Sequence, residues 1–176
     1  MRFEPLPVPG AFLIEPDFIA DDRGFFARTF CRAEFAAKGL NTNLVQCSVS
    51  FNKARHTLRG MHYQVTPHEE AKLVRCTKGA IQDVIVDLRP DSPAFRRWAS
   101  VELSAENHRG VYIPEGVAHG FLTLDVDSEV FYQMSEFFQP ECAAGARFDD
   151  AAFGIDWLAE PAVISGRDLG YPDFLK

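Results

Sequence analysis

Short runs of apolar residues recur through the middle of the chain, and turn residues separate them. Eight of these runs have the length, the alternation and the β-branched or aromatic content that are typical of strands. They are Leu44–Phe51, Leu58–Gln64, Lys72–Cys76, Ile81–Leu88, Trp98–Leu103, Val111–Pro114, His119–Leu124 and Glu129–Met134. The turns between them include K-G at 78–79, R-P-D-S-P at 89–93 and D-V-D-S at 125–128. Many short strands at regular spacing predict a β-sandwich or β-barrel.

Helical signal is confined to two segments. The first runs from Arg32 to Lys38 and ends at Gly39, a residue type that terminates helices well. The second begins near Ser165, where S-G-R-D fits a capping box. We therefore expect an all-β, double-sheet jelly roll with a few short helices and an interior that can hold a ligand. No repeat, low-complexity stretch or linker divides the sequence, so residues 1–176 are expected to form a single domain.

Composition and charge exclude several classes of protein. The 176 residues are 47% hydrophobic, which is typical of a globular domain, and the net charge of −7 argues against non-specific binding to nucleic acid. The four cysteines, at 31, 47, 76 and 142, lack the spacing of a disulfide framework or a zinc site. The sequence shows neither a signal-peptide pattern nor an apolar run long enough to cross a membrane, so we expect a cytoplasmic protein without membrane contact.

Two of the five histidines lie in strand-like, apolar surroundings, namely His62 and His119. The segment I-P-E-G-V-A-H-G-F at 113–121 resembles the second cupin motif, P-x-G-x-x-H, in which the histidine points into a β-barrel. Cupins often bind a metal with a first motif that contains H-x-H, but here Gln64 follows His62 at that spacing, and the glutamates at 69–70 lie in a turn-like stretch. Two histidines without a firm third ligand make a poor metal site. We predict a cupin-like β-barrel without a metal or other cofactor.

A pocket without a metal can still activate a substrate by moving a proton. Removing a proton beside a carbonyl needs a base and cationic groups that face the developing enolate oxygen. His62 is a candidate base, and Arg59 and Lys72 are candidate cations. Tyr132 is a candidate acid, because the alternation of its strand directs its side chain inward. A core tyrosine with its hydroxyl bonded to backbone explains the same pattern equally well.

The stretch T-L-R-G-M-H-Y-Q at 57–64 poses a geometric problem. Arg59 and His62 are three residues apart, so in a regular strand they point to opposite faces. A bulge or kink at Gly60 would let both face one substrate, and an isolated glycine in a strand often marks such an irregularity. A straight, regularly paired strand would contradict this hypothesis.

Several motifs together resemble the dTDP-4-dehydrorhamnose 3,5-epimerase family. They are R-G-M-H-Y-Q, K-L-V-R-C-T-K-G, V-D-L-R-P-D-S-P, L-S-A-E-N, I-P-E-G-V-A-H-G-F and F-G-I-D-W, with D-D-R-G-F-F near the start and I-S-G-R-D near the end. The resemblance covers nearly the whole chain, and the order of the motifs makes it specific. It implies a metal-independent, cupin-type homodimer that inverts C3 and C5 of a dTDP-4-keto-6-deoxyhexose.

The resemblance also implies a role for individual residues. His62 is expected to be the base, oriented and made more basic by Asp168, although Asp168 also fits the capping box that Ser165 begins. Tyr132 is expected to be the acid, and the enolate would be stabilised by Arg59 and Lys72. The residues implied in substrate binding are Arg23 and Arg167 at phosphate, Phe25 at the base, Gln46 and Ser48 near the nucleotide, Phe138 as an aromatic wall and His119 in the sugar pocket. The segment around Arg23 is expected to act partly across the dimer.

The sequence departs from the family pattern at positions implied in nucleotide recognition. Arg28 stands where the family commonly has a glutamate that contacts the base, Q-C-S replaces Q-D-N at 46–48, and Ala143 replaces an acidic residue. Compared with the family pattern, this sequence also has one additional residue between Q-C-S and Arg59. These changes leave open which base and sugar are bound and whether one centre or both are inverted. A single-centre epimerase, a metal-dependent cupin enzyme with His62 and His119 as ligands, and a non-catalytic sugar-nucleotide-binding module are the alternatives.

Overall fold

The computed structural model describes residues 1–174, and strands dominate them. The strands are β1 Arg2–Pro5, β2 Phe12–Glu15, β3 Phe18–Asp21, β4 Gly24–Ala27, β5 Gln46–Asn52, β6 Thr57–Gln64, β7 Lys72–Lys78, β8 Ala80–Asp87, β9 Trp98–Ser104, β10 Gly110–Ile113, β11 Val117–Thr123, β12 Ser128–Met134, β13 Ala143–Gly145 and β14 Val163–Ile164. The helices are α1 Arg32–Ala36, α2 Gly166–Leu169 and a short 3-10 helix, Pro140–Cys142. Within this part of the chain, no helix has the length and apolarity that crossing a membrane requires.

Two sheets face each other. The first has the order β1-β2-β10-β7-β12-β5, and the second has the order β13-β6-β11-β8-β9, with β14 added in parallel to β6. A separate hairpin is formed by β3 and β4. The prediction of an all-β fold with two sheets and a few short helices is confirmed. Both sheets are open among the described residues, so the architecture is a sandwich and not a continuous closed barrel.

All eight strands predicted from the sequence are present, with ends that differ by at most two residues. Six strands were not predicted, namely β1, β2, β3, β4, β13 and β14. Each has four residues or fewer, which leaves little room for an alternating pattern. Backbone pairing with a neighbouring strand defines them, and single-sequence patterns do not reveal pairing.

Apolar side chains fill most of the space between the sheets. The central cluster includes Val74, Ile85, Val111, Phe121 and Val130, all of which are at most 1% exposed. Two further clusters lie on the outer faces, one beneath α1 and one beneath the segment that follows β13. At one end of the sandwich, polar and ionisable side chains replace the apolar ones, and a cavity opens there.

The helices agree with the capping signals in the sequence. Helix α1 starts at Arg32 as predicted but ends at Ala36, and Gly39 has a φ of +72°. Helix α2 begins after Ser165, whose Oγ accepts a hydrogen bond from the backbone N–H of Asp168 at 3.1 Å. This bond confirms the N-cap, and it also fixes Asp168 at the start of the helix.

Gly60 interrupts β6 in the way that the sequence suggested. Its φ is +139°, which strongly favours glycine, and a Cβ added there would lie 2.5 Å from the Cα of Gly120 on the neighbouring strand β11. The pairing of β6 with β11 shifts register between His119 and Phe121 at this point. Arg59 and His62 border the same cavity as a result. The predicted irregularity is confirmed.

We expect Gly60→Ala to lower the free energy of unfolding by about 2–5 kcal/mol, because the new methyl group adds steric overlap to backbone strain. Chemical denaturation of the wild type and of Gly60→Ala measures this loss. Gly39→Ala is the matched control, since Gly39 has a positive φ but open space around the added Cβ, so its cost should be only about 1–2 kcal/mol. Equal losses in the two variants would show that the approach to Gly120 does not matter.

Candidate active site

A cavity of about 340 Å³ lies between the two sheets at their polar end. Most of its lining comes from β5, β7 and β12 of the first sheet and from β6, β11 and β13 of the second, and two loops and α2 supply the rest. The lining residues are Gln46, Ser48, Ser50, Arg59, His62, Tyr63, Gln64, Glu70, Lys72, His119, Tyr132, Met134, Phe138, Ala143, Ala144 and Arg167. Nine of the thirteen predicted site residues are in this set. Asp168 lies directly behind His62, which is one of the nine.

His62 and Asp168 form a hydrogen-bonded pair at the wall formed by β6. The Nε2 atom of His62 is 2.7 Å from Oδ1 of Asp168, whose side chain is 5% exposed, whereas the His62 side chain is 39% exposed. Burial raises the pKa of Asp168, but the hydrogen bond and charge of His62, together with hydrogen bonds from Gly60 and Ser165, outweigh burial and hold the pKa below its usual range. Asp168 is therefore a carboxylate at neutral pH and fixes the orientation of the imidazole.

A second histidine–carboxylate pair lies beside the first. His119 is directly opposite His62 in the register of β11 and β6, and its Nε2 is 2.7 Å from Oδ2 of Asp83. Both members of this pair are buried. Oδ1 of Asp83 has no hydrogen-bond partner within residues 1–174. The His119 ring is thus held in one orientation at the deep end of the cavity.

Tyr132 occupies the opposite wall, on β12 of the first sheet. Its ring meets the edge of the His119 ring, with 5.8 Å between the centroids. Burial and the negative charge of Asp83 raise the pKa of Tyr132 far above its usual value, and the positive charge of Arg59 only partly opposes them. The phenol therefore keeps its proton at neutral pH. The inward orientation predicted from the strand pattern is confirmed.

The two candidate cations are held by different partners. Arg59 donates from Nε to Oδ1 of Asn52 at 2.7 Å. Lys72 forms an ion pair with Oε1 of Glu70 at 2.9 Å and donates from Nζ to the backbone carbonyl of His62 at 3.2 Å. Both cations therefore border the space in front of His62, one beside a neutral amide and the other beside a carboxylate.

The mouth of the cavity carries the groups expected at the nucleotide. Gln46 and Ser48 project from β5, and Oε1 of Gln46 accepts a hydrogen bond from the backbone N–H of Phe138 at 3.1 Å. The exposed Phe138 ring forms part of the rim. Arg167 lies over the ring of Tyr171, 5.9 Å from its centroid. One opening thus brings together an aromatic ring, an amide group, a hydroxyl group and an arginine.

Three predicted binding residues lie outside the cavity of this single chain. Arg23 and Phe25 belong to the β3–β4 hairpin, where Arg23 pairs with Asp21 and the Arg23 side chain is 90% exposed. Arg28 follows the hairpin and pairs with Glu34. None of these residues contributes to the lining of the cavity.

The family model for dTDP-4-dehydrorhamnose 3,5-epimerase matches residues 5–176. The chain belongs to this family. It is 42% identical to the dTDP-4-dehydrorhamnose 3,5-epimerase of Methanothermobacter thermautotrophicus over 97% of this chain and 92% of that protein. The family assignment made from the ordered motifs is confirmed, and so is the expectation of an isomerase of the epimerase type.

Solved structures agree with this assignment. The dTDP-6-deoxy-D-glucose-3,5-epimerase of Legionella pneumophila, solved with dTDP-4-keto-L-rhamnose, superposes with a TM-score of 0.90 at 32% identity and covers 97% of this chain and 90% of that chain. A double variant of ChmJ, a 3′-monoepimerase from Streptomyces bikiniensis, was solved with dTDP and has a TM-score of 0.88 at 34% identity over 96% of this chain and 85% of that chain. The cupin-like jelly roll is confirmed by these likenesses.

The family's motifs did not reveal several residues that the cavity depends on. Asp83, Glu70 and Asn52 each hold one of the functional side chains, and Tyr171 lies 6.2 Å from the His62 ring, measured between centroids. For Glu70 a signal existed, because it precedes Lys72 by two positions and side chains at that spacing share a face where the chain is extended. Asp83 and Tyr171 come from distant segments, and Asn52 lies on the preceding strand, β5, seven residues from Arg59; no sequence pattern connects the three to their partners.

The donor groups do not assemble into a metal site in the described part of the chain. No group of three His, Cys, Asp or Glu side chains there has a suitable arrangement. Gln64, which stands at the H-x-H position, donates to the carbonyls of His68 and Phe137 and accepts from the N–H of Gln139. Its amide therefore supports a loop and does not face the two histidines as a ligand.

Proposed function

We propose that this chain inverts C3 and C5 of dTDP-4-dehydro-6-deoxy-D-glucose to form dTDP-4-dehydro-L-rhamnose, with His62 as base and Tyr132 as acid. The observation that carries the proposal is the position of these two groups on opposite sheets with one cavity between them. Inversion at carbon requires that a proton leave one face and return to the other. A base on one wall and an acid on the facing wall meet that requirement.

The first step is proton abstraction beside the C4 carbonyl. Because Nε2 of His62 faces the Asp168 carboxylate, that nitrogen carries the hydrogen and the lone pair of Nδ1 takes the proton. The electrons of the broken C–H bond form a carbon–carbon double bond to C4, and the carbonyl electrons move to O4 as an enolate. Arg59 and Lys72 stabilise that negative oxygen.

The second step returns a proton from the other side. Tyr132 retains its hydroxyl proton at neutral pH because its pKa is raised, so it can donate that proton to the carbon. The enolate electrons form the new C–H bond and the carbonyl is restored. Solvent then reprotonates the tyrosinate and removes the proton from His62. The same cycle at the second carbon completes the double inversion.

The pair of residue types is also found in a relative. The double variant of ChmJ replaces a histidine by asparagine and a tyrosine by phenylalanine, and these two positions are 70 residues apart. His62 and Tyr132 have the same separation. ChmJ is a 3′-monoepimerase, so single-centre inversion is the alternative outcome for a chain with this likeness.

Deuterium incorporation decides between one centre and two. Incubation with dTDP-4-dehydro-6-deoxy-D-glucose in D2O should place deuterium at C3 and C5, which NMR resolves. His62→Asn should slow exchange at both carbons by roughly 10²–10⁴-fold because the base is lost. Label at one carbon only would support a single-centre epimerase. No exchange in the wild-type chain would overturn the proposed reaction.

Tyr132→Phe should separate the two half-steps. We expect product formation to fall by roughly 10²-fold or more, while deuterium wash-in at the carbon that His62 serves falls much less, because abstraction does not need the phenol. Parallel measurement of product by chromatography and of exchange by NMR gives both rates. Equal losses would contradict the role of Tyr132 as proton donor.

The chain is further proposed to act as a homodimer in which the β3–β4 hairpin of one protomer reaches the site of its partner. The hairpin exposes Phe18, Ile19, Phe25 and Phe26 by 48–70%, and exposed apolar patches of this kind are typical of interaction sites. Arg23 extends from the same hairpin and would bind the diphosphate, for which its planar fork is suited. Arg167, Gln46 and Ser48 would complete the nucleotide site from the first protomer.

Mixing two inactive variants tests this arrangement. Arg23→Ala and His62→Asn should each impair turnover, and equal amounts refolded together should recover about a quarter of wild-type activity, because half of the dimers are mixed and each of these has one intact site. Sedimentation of the same samples reports the oligomeric state. If Arg23 served its own chain, or if the protein stayed monomeric, the mixture would recover nothing.

A further inference from the structure

Glu70 is a cavity-lining carboxylate to which neither the family motifs nor the proposed proton transfers give a role. It is 2.9 Å from Nζ of Lys72, and the two side chains are 11% and 10% exposed. An ion pair that is this well shielded is much less screened by solvent than a surface pair. The position of the Lys72 ammonium therefore depends on Glu70.

The backbone around Glu70 holds the carboxylate in place. The intervening residue, Ala71, donates from its N–H to Oγ of Ser135 at 2.8 Å, and its carbonyl accepts from the N–H of Ser135 at 2.9 Å. Glu70 and Lys72, on either side of this residue, both line the cavity and so project to the same side of the chain. Only one other acceptor contacts Nζ among the described residues, namely the carbonyl of His62.

The pairing of Lys72 contrasts with that of Arg59. Arg59 is held by the neutral side chain of Asn52, and a guanidinium group is rigid. Lys72 reaches the cavity through a flexible four-carbon stem, which has no preferred direction of its own. A flexible cation needs an anchor to keep its nitrogen within reach of an enolate oxygen, and Glu70 supplies that anchor.

We propose that Glu70 is a positioning residue that fixes the Lys72 ammonium beside the carbonyl of His62. The inference rests on the proposed epimerase function. Because displacement of a catalytic group by about 1 Å costs as much as 10²-fold in rate, Glu70→Ala should slow deuterium wash-in by roughly 10- to 100-fold without raising KM comparably. Glu70→Gln keeps an acceptor oxygen at the same place and should retain most of the rate.

A double-variant comparison shows whether Glu70 acts through Lys72. Lys72→Met alone should cost roughly 10²–10³-fold as an oxyanion donor is lost, and adding Glu70→Ala should cost nothing more. Glu69→Ala is the matched control, because this neighbouring glutamate does not line the cavity and its carboxylate bonds Thr66. Any one of three results would overturn the proposal. Glu70→Ala could exchange deuterium at the wild-type rate, it could cause a further loss in the Lys72→Met background, or Glu69→Ala could cause an equal loss.

Chemical labelling tests the anchor without relying on turnover. The Lys72 side chain is only 10% exposed while it is paired with Glu70, and acetic anhydride reacts only with a lysine nitrogen that it can reach. Mass spectrometry should therefore show faster acetylation of Lys72 in Glu70→Ala than in the wild type, relative to the exposed Lys53. If the wild-type chain exchanges no deuterium, the proposed reaction fails, but the labelling still tests the role of Glu70. Unchanged acetylation of Lys72 in Glu70→Ala would overturn that role.

Discussion

The close approach of two glycine backbones is the constraint on which the site depends. Gly60 and Gly120 meet where β6 pairs with β11, and no side chain fits between them. The positive φ of Gly60 turns the chain between Arg59 and His62, so that both residues face the cavity. Gly120 follows His119, which lies opposite His62. One contact between strands thus sets the direction of three functional side chains.

Around this contact, three carboxylates each hold one of the candidate functional side chains. His62, His119 and Lys72 are each within 2.9 Å of a carboxylate, those of Asp168, Asp83 and Glu70 respectively. Asp83 and Asp168 are buried, and a buried carboxylate without a partner would be costly, so each pairing stabilises a polar cavity inside an apolar sandwich. Arg59, in contrast, is held by a neutral amide. The pairs also fix each ring or ammonium in one orientation, which proton transfer requires.

The sequence was sufficient to predict the parts of the structure that local chemistry determines. The eight long strands follow from alternation, the start of α2 from Ser165, and the kink from Gly60. The partners of the functional groups were mostly beyond its reach. Asp83 is 36 residues from His119, and contacts at that distance arise from the pairing of β8 with β11. Asp168 was placed by its family motif, and its own local signal indicated only a helix cap.

The departures from the family pattern differ in how close they lie to the proposed proton-transfer groups, because Arg28 is remote whereas Ser48 is paired in register with Tyr132. Arg28 is outside the cavity and pairs with Glu34, and Ser48 and Ala143 lie on its lining from β5 and β13. Ala143 pairs in register with Gln64, two residues beyond His62 on β6. Changes at the rim can alter which nucleotide or sugar is bound while leaving the two walls intact, because the walls are built on β6, β11 and β12 and the rim on loops and edge strands. Arg28 is thus separate from the walls that carry the proposed proton transfers, whereas Ser48 adjoins one of them, and Glu70 meets Lys72 on β7, the strand that pairs with β12 on its other side.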